Sequence, residues 1–199
     1  MASAPLILGF DTSAAHCAAA LLSGDAVLAS RAEAMTKGQA ERLMPFLQEI
    51  LSGAGIGWQD LSALGVGIGP GNFTGIRIAV SAARGLALGL EVPVVGVSGC
   101  EARAHLAPKG ALCAIPAPRD MVYLCDPDNP STPPQLMPRD TAQSNGLTLQ
   151  PENSPQGLAE AIAAIAAARW QTTTLPPAPL YARAADAAPS RHAPPVLLD

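Results

Sequence analysis

The stretch that decides the fold is Gly67-Ile68-Gly69-Pro70-Gly71-Asn72-Phe73-Thr74-Gly75-Ile76-Arg77. An apolar run at residues 64–68 leads into it and a long apolar segment at residues 74–90 follows, so the pattern predicts a strand-to-helix junction. Such a junction exposes backbone N–H groups and the positive end of the helix dipole. The stretch therefore predicts either a loop that binds an anion or a partner, or a tight structural turn.

The glycine spacing separates this stretch from two familiar nucleotide-binding loops. A Walker A loop needs Gly-Lys-Ser or Gly-Lys-Thr after its first glycine, and no lysine stands here. A dinucleotide-binding loop needs Gly-x-Gly-x-x-Gly, whereas three residues separate the last two of Gly69, Gly71 and Gly75. The residues that stay candidates for contact with a nucleotide or a partner are Gly69, Pro70, Gly71, Asn72, Thr74, Gly75 and Arg77.

A second polar group, Asp11-Thr12-Ser13, follows the first apolar run of the chain at residues 6–10. A carboxylate and hydroxyls at the end of a buried strand can hold a metal-bound phosphate. The same residue types also form an ordinary polar turn. From the residues alone, both interpretations of this group stay open.

Around these two motifs the chain predicts an α/β lobe. Antiparallel strands are indicated at residues 6–10, 17–22 and 26–31, and further strands at 64–68 and 93–97. Helices are predicted at residues 39–53, 74–90 and 98–106. Within the strand at 64–68, Gly65 and Gly67 fall on one face, which lets a neighbouring element approach closely.

The composition changes after residue 106, where proline becomes dense. Short strands are predicted there at residues 111–115 and 121–125, and an alanine-rich helix at 154–170. Residues 176–199 are expected to be irregular. We therefore divide the chain into an N-terminal lobe, residues 1–106, and a smaller proline-rich lobe, residues 107–199.

Charge and composition exclude several classes of function. The 199 residues carry 12 Lys and Arg against 16 Asp and Glu, and a net charge of −4 is unlike a protein that binds RNA by itself. No apolar run approaches the ~20 residues of a membrane helix, and the N-terminus does not resemble a signal peptide. These features predict a cytoplasmic protein that does not bind a membrane.

The cysteines and histidines indicate neither a metal site nor a catalytic residue. The four cysteines include no Cys-x-x-Cys pair, although Cys113 and Cys125 could face each other on neighbouring strands. We expect reduced and partly buried thiols, as is usual in cytosolic proteins. The three histidines lie far apart, so neither a helix-borne metal-binding pair nor a Ser-His-Asp group is indicated.

The two long predicted helices, at residues 39–53 and 74–90, are apolar over more of their circumference than one core face needs. Such helices are either buried on all sides or shared with a partner, and small residues let a partner helix come close. The predicted partner surface consists of Leu43, Met44, Leu47, Ile76, Val80, Ala83 and Ala87. Without the partner, a homodimer is expected to cover this patch.

These motifs, in this order, resemble the TsaB (YeaZ) family. The family pattern has Asp-Thr-Ser after the first strand, a Glu-x-Leu-x-Pro helix start at residues 41–45, and a Gly-Pro-Gly-Ser-Phe-Thr-Gly-x-Arg-Ile signature at residues 69–78, with Asn72 in place of the serine. The similarity covers residues 6–105 and thins beyond them. Pro116 replaces a family aspartate, and Gln39 stands near the place of a family histidine.

The resemblance implies a two-lobed actin/Hsp70-like ATPase (RNase H-like) fold with a reduced second lobe. It also implies a non-catalytic subunit of the complex that transfers a threonylcarbamoyl group to the adenosine beside the anticodon of tRNA. Such a subunit scaffolds and activates the catalytic subunit TsaD, and the ATPase TsaE joins the assembly. The chain itself would need no cofactor, since the partner subunits use ATP and metal, and it would contact tRNA only indirectly.

Two other functions stay open. One is an independent ATPase or kinase of the actin-like class that uses Asp11 with Mg²⁺. It would need an acidic residue of the second lobe in the region where Pro116 and Pro118 stand. The other is a relative of the metallo-glycoproteases, which the lack of a spaced histidine pair disfavours.

Overall fold

A computed structural model describes residues 4–108, 111–126, 129–130, 132–144 and 153–182. The strands are β1 (Leu6–Asp11), β2 (His16–Ser23), β3 (Ala26–Ala34), β4 (Ala63–Gly67), β5 (Val94–Val97), β6 (Cys113–Ala117), β7 (Met121–Cys125) and β8 (Gln135–Pro138). The helices are α1 (Gln39–Gly53), α2 (Phe73–Leu90), α3 (Gly99–Leu106), α4 (Arg139–Ser144) and α5 (Pro155–Arg169), with a 3₁₀ turn at Trp58–Asp60.

A five-stranded mixed sheet, in the order β3-β2-β1-β4-β5, forms the first lobe. Strands β1, β2 and β3 pair antiparallel, which confirms the predicted meander, and β4 and β5 extend the sheet parallel to β1. Because parallel strands end at the same edge of a sheet, the Asp11–Ser13 turn and the loop after β4 meet there. The topology therefore places the two motifs of the sequence side by side.

Helices α1 and α2 pack side by side over one face of this sheet, as predicted. They cover the strand residues Leu8 and Phe10, which alternate with residues that point to the other face. Within the described part of the chain, α2 is the one helix long and apolar enough to cross a membrane by length and composition. Its packing against β4 and α1 accounts for one of its apolar sides.

Helix α5 covers the opposite face of the five-stranded sheet. A Cβ at Gly9 would lie 2.6 Å from the backbone nitrogen of Ala163, and one at Gly65 would lie 2.9 Å from the Cβ of Ala166. Because these two glycines have no side chain, α5 packs closely against the sheet, as predicted for an element beside β4. The packing differs from the predicted division at residue 106, because a helix from the range 107–199 covers an apolar sheet face of the first lobe.

Strands β6, β7 and β8 form a three-stranded antiparallel sheet in the second lobe. Cys113 and Cys125 lie opposite each other on β6 and β7, as expected, but Cys125 forms a disulfide with Cys100 of α3. The expectation of reduced thiols is therefore wrong for Cys100 and Cys125, while Cys17 and Cys113 are free and buried. The disulfide forms because α3 and β7 contribute side chains to the same small core.

Helix α3 begins at the capping box that its sequence predicts. Glu101 N donates to Ser98 Oγ at 3.1 Å, and Ser98 N donates to Glu101 Oε2 at 2.9 Å. Arg169 of α5 donates to the other carboxylate oxygen at 2.5 Å, so Glu101 also joins α3 to α5. Burial tends to raise the pKa of Glu101, but the hydrogen bonds from Ser98 and Arg169 outweigh it and lower that pKa below its ordinary value.

Glu101→Gln is expected to lower the free energy of unfolding by about 1–2 kcal/mol at neutral pH, because it removes the ion pair and weakens the cap. A lowered folded-state pKa stabilises the fold fully above the unfolded pKa of about 4.3, and this stabilisation is lost as the pH falls through the folded value. Urea unfolding at neutral and at acidic pH should therefore show the deficit of the variant shrinking in acid. Glu41→Gln, at an exposed position of α1, is the control, and an equal Glu101→Gln deficit at both pH values would contradict this role of the carboxylate.

Candidate functional site

The two sequence motifs border a cavity of about 360 Å³ between the two sheets. On the side of the first sheet the cavity is lined by Asp11, Ser13, Ala14, His16, Pro70, Gly71, Asn72 and Arg103. Its other walls are formed by Ile115, Pro116, Pro118 and Tyr123 of the second lobe and by Asn153, Pro155 and Leu158 around the start of α5. The structure thus brings together five of the predicted site residues. Thr74 and Arg77 are instead exposed in the first two turns of α2, outside this cavity.

The loop after β4 lies directly against the Asp11–Ser13 turn. Asn72 N donates to Ser13 O at 2.6 Å, and Thr12 Oγ1 donates to Gly75 O at 2.7 Å. A Cβ at Gly71 would lie 2.2 Å from Ser13 O, and one at Gly75 would lie 1.9 Å from Thr12 O. Glycine is therefore required at both positions by contact between two segments of the chain itself.

Asn72, rather than Thr74, is the N-cap of α2. Its Oδ1 accepts a hydrogen bond from Gly75 N at 3.0 Å, and its carbonyl oxygen accepts one from Ile76 N at 2.9 Å. Gly69 has a φ of 98°, and the peptide bond between Gly69 and Pro70 is cis. The chain itself thus engages Asn72 N and Gly75 N, two of the N–H groups that the start of α2 could otherwise offer to an anion. Of the two interpretations left open by the sequence, these contacts favour the tight structural turn.

Asp11 is the centre of a buried hydrogen-bonded group. Its Oδ2 accepts from Ser13 N at 3.1 Å, from Ser13 Oγ at 2.9 Å and from His16 Nε2 at 2.9 Å. Its Oδ1 occupies the space over Gly67, where a Cβ would lie 2.0 Å away. The Asp11 side chain is 6% exposed, and the three protein donors from Ser13 and His16 satisfy its Oδ2. The carboxylate therefore fixes the turn between β1 and β2.

His16 is a site residue that the sequence analysis missed. The signal for it was the short connection between β1, which ends at Asp11, and β2, which begins at His16. A hairpin of this length returns His16 to Asp11, so Asp11, Ser13 and His16 do come together. In a nucleophilic triad the imidazole lies between serine and aspartate, whereas here the hydroxyl and the imidazole both bind the carboxylate.

Two departures from the family pattern lie close to this group. Gln39 is buried, and its Nε2 donates to Ala14 O at 3.3 Å and to Met35 O at 3.4 Å, which joins the start of α1 to the turn before β2. Pro116 is exposed and lines the cavity on the side of the second lobe. Gln39 thus has a structural contact, whereas Pro116 presents an apolar ring to the cavity.

The predicted partner surface needs a correction. Leu43, Leu47, Ile76, Val80 and Ala83 are each at most 3% exposed, because these stripes of α1 and α2 face the sheet. Met44 is 39% exposed and Ala87 is half-buried. The exposed side of α2 carries Phe73, Arg77, Ser81, Arg84, Gly85 and Leu88 instead. The two helices stay candidates for a partner surface, but with different residues.

Residues 176–182, the described part of the predicted irregular tail, pack beside the start of α2. Leu180 N donates to Ile68 O at 2.7 Å. Arg77 Nε donates to Tyr181 OH at 2.8 Å, and the Arg77 guanidinium lies 3.8 Å from the centroid of the Phe73 ring. The tail segment thereby fixes Arg77, a residue of the signature. Residues 183–199, also predicted to be irregular, lie outside the described residues.

Comparison with known proteins gives one consistent assignment. A family model described as TsaD, tRNA N6-adenosine threonylcarbamoyltransferase, matches residues 28–129, just over half of the chain. The tRNA threonylcarbamoyladenosine biosynthesis protein TsaB of Escherichia coli (strain K12) is 41% identical over 92 residues, which are 46% of this chain and 39% of that protein. The protein of the same name from Haemophilus influenzae is 35% identical over 123 residues, 59% of this chain and 51% of that protein. The chain thus spans about half the length of these curated relatives.

A solved structure extends the similarity to most of the chain. A crystal structure from Pseudomonas aeruginosa, described as an uncharacterized protein with similarity to peptidase YEAZ, has a TM-score of 0.72 and 26% identity, and the match covers 90% of this chain and 100% of that one. These matches confirm the α/β fold of the actin/Hsp70-like (RNase H-like) class that the sequence implied. The chain therefore belongs to the TsaB (YeaZ) family.

Proposed function

We propose that this chain is the non-catalytic subunit of the complex that transfers a threonylcarbamoyl group to the adenosine beside the anticodon of tRNA. In this role it binds and activates a TsaD-like catalytic subunit. The similarity to TsaB proteins supports the assignment to this complex. The observation that carries the non-catalytic role is the contact between the signature loop and the Asp11–Ser13 turn, where glycines admit the backbone of the chain itself. A loop engaged in this way supports a structural role for the signature.

The cavity beside Asp11 bears on both the non-catalytic role and the alternative of an independent ATPase or kinase. Asp11 is the one carboxylate among its described lining residues, since the walls opposite consist of Ile115, Pro116, Pro118, Tyr123, Asn153, Pro155 and Leu158. An ATPase or kinase that uses Asp11 with Mg²⁺ would need an acidic residue on those walls. The observation that favours an ATPase or kinase is that Ser13, Asn72 and Arg103 line the same cavity as Asp11, so polar groups surround the space that a phosphate could fill.

The TsaD-like subunit is expected to bind the exposed sides of α1 and α2 and to form a four-helix contact with them. Met44 is 39% exposed and Leu88 is 83% exposed, which provides apolar anchors on both helices. A TsaE-like ATPase joins the assembly, and the partner subunits use ATP and metal, so that this chain needs no cofactor. In the absence of the TsaD-like subunit, a homodimer covers the same helices. With a net charge of −4, the chain contacts tRNA only indirectly. As a subunit of a tRNA-modifying complex it acts in the cytoplasm.

The proposal is tested with the purified full chain, the TsaD-like and TsaE-like proteins of the same genome, tRNA, ATP and an activated threonylcarbamoyl donor. We expect a complex in size-exclusion chromatography, threonylcarbamoyladenosine formation on tRNA only when this chain is present, and no ATP turnover by the chain alone. Asp11→Ala is the matched variant for the rival function. ATP turnover by the isolated chain that Asp11→Ala abolishes would overturn the non-catalytic role and assign the cavity to an ATPase.

A further inference from the structure

A groove of about 500 Å³ lies between α2 and the tail segment at residues 176–182, away from the cavity at Asp11. It is lined by Arg77, Val80, Ser81, Arg84, Pro179 and Tyr181. Arg77, Ser81 and Arg84 follow the spacing i, i+4 and i+7, so they lie on one side of α2. The groove is thus a cationic stripe with one hydroxyl between two guanidinium groups.

The two arginines of the stripe carry charge that the described residues do not neutralise. Neither Arg77 nor Arg84 forms an ion pair within the described part of the chain. Arg77 donates through Nε to the neutral hydroxyl of Tyr181 and its guanidinium stacks on the Phe73 ring, so its position is fixed by groups that carry no negative charge. A chain with a net charge of −4 thus presents two adjacent cations on one helix face.

The spacing of the stripe favours an extended acidic partner over a single small anion. Residues seven apart on a helix are separated by about 10.5 Å along its axis and by about 20° around it. Two carboxylates seven apart on a partner helix have the same spacing. Beside the stripe, a Cβ at Gly85 would meet nothing within 4 Å, and Leu88 is 83% exposed. These two residues give a partner helix room to approach and an apolar contact.

The homodimer proposed for the chain alone covers α1 and α2, but it does not supply the opposite charge for the stripe. In a two-fold symmetric dimer the same patch meets itself, and here that would bring like charges of α2 together. We infer that the groove of Arg77, Ser81 and Arg84 binds an acidic helix of the partner protein, with carboxylates about seven residues apart. This inference rests on the proposed function, because it names the chemistry by which the TsaD-like subunit is recognised.

The test compares charge-reversal variants of the full chain in two binding assays. Arg84→Glu should weaken binding of the TsaD-like protein by about tenfold or more, and Arg77→Glu with Arg84→Glu by about 100-fold. Arg119→Glu, at an exposed position of the β6–β7 turn, is the matched control and should bind as wild type. The second assay uses a labelled helical peptide with glutamates seven residues apart and the same peptide with glutamines. Circular dichroism verifies that each variant is folded.

The outcomes separate this inference from the proposed function. Equal binding of the TsaD-like protein by wild type and by the double variant would overturn the inference and leave the proposed function in place. If the glutamate peptide binds wild type but not Arg84→Glu, and the TsaD-like protein binds neither, the groove is a site for acidic helices, but the TsaD-like subunit is not its occupant and the proposed function is contradicted. Binding of neither probe by the wild type would overturn the inference, as would a homodimer that Arg84→Glu dissociates while the TsaD-like protein still binds.

Discussion

Replacing Gly75 by alanine is expected to destabilise the chain by about 3 kcal/mol, the upper end of the usual cost of over-packing, because the neighbouring backbone has no room to move. The new Cβ would lie 1.9 Å from the backbone carbonyl oxygen of Thr12. Thr12 is fully buried and donates its hydroxyl to the carbonyl oxygen of Gly75, so neither segment can move away without losing that bond. Guanidinium unfolding followed by circular dichroism measures the effect.

Gly85→Ala is the matched control, because both glycines belong to α2. Nothing lies within 4 Å of a Cβ at Gly85, so alanine should add only its higher helix propensity and stabilise the chain by up to about 1 kcal/mol. The two substitutions are thus expected to shift the unfolding midpoint in opposite directions. If Gly75→Ala unfolded at the wild-type midpoint, the signature loop would not be held against the Asp11–Ser13 turn.

The elements of the first lobe could be predicted because their signals are local. Alternating residues such as Ile7 and Leu8 mark a strand covered on both faces, and Ser98 with Glu101 marks a helix start. The role of the signature loop could not be read in the same way. Its two interpretations differ only in what the glycines contact, and that contact joins Thr12 to Gly75 across 63 residues of chain. The spacing of residues within a motif does not predict a contact between two motifs so far apart in the chain.

The second lobe was harder to predict for two physical reasons. Its proline-rich segments weaken the periodic pattern, so β8 and α4 were missed. Helix α5 was predicted as a helix, but its alanine-rich sequence does not say which sheet it covers, and Gly9 and Gly65 decide that by letting it approach. The disulfide depends likewise on α3 bringing Cys100 to Cys125, although Cys113 is the strand neighbour of Cys125.

The helix period predicts that α2 has more than one apolar side, but it does not say which side the core takes. The structure assigns the stripe of Ile76, Val80 and Ala83 to the core, because this stripe meets the sheet and α1. The remaining exposed stripe contains Arg84 and Leu88. A substitution on the first stripe should therefore act on folding, and one on the second should act on association.

Ala83→Glu and Leu88→Glu test this division with the same new side chain on the same helix. Ala83 is 0% exposed, so a carboxylate there should cost about 3–5 kcal/mol and unfold most of the chain, since it would be buried without a partner. Leu88 is 83% exposed, so the free energy of unfolding should change by only about 0.5 kcal/mol. Binding of the TsaD-like protein should nevertheless weaken by about tenfold or more, because an apolar anchor is lost at the contact.

Circular dichroism and analytical ultracentrifugation on the same samples measure folding and association for both variants. Leu88→Ala is the control for loss of the apolar side chain without added charge, and it should fall between wild type and Leu88→Glu in affinity. A folded Ala83→Glu chain would contradict the assignment of that stripe to the core. A Leu88→Glu chain that binds the TsaD-like protein as tightly as wild type would exclude the exposed side of α2 from the contact, because a carboxylate in place of an apolar contact, facing an acidic partner helix, cannot be neutral in affinity.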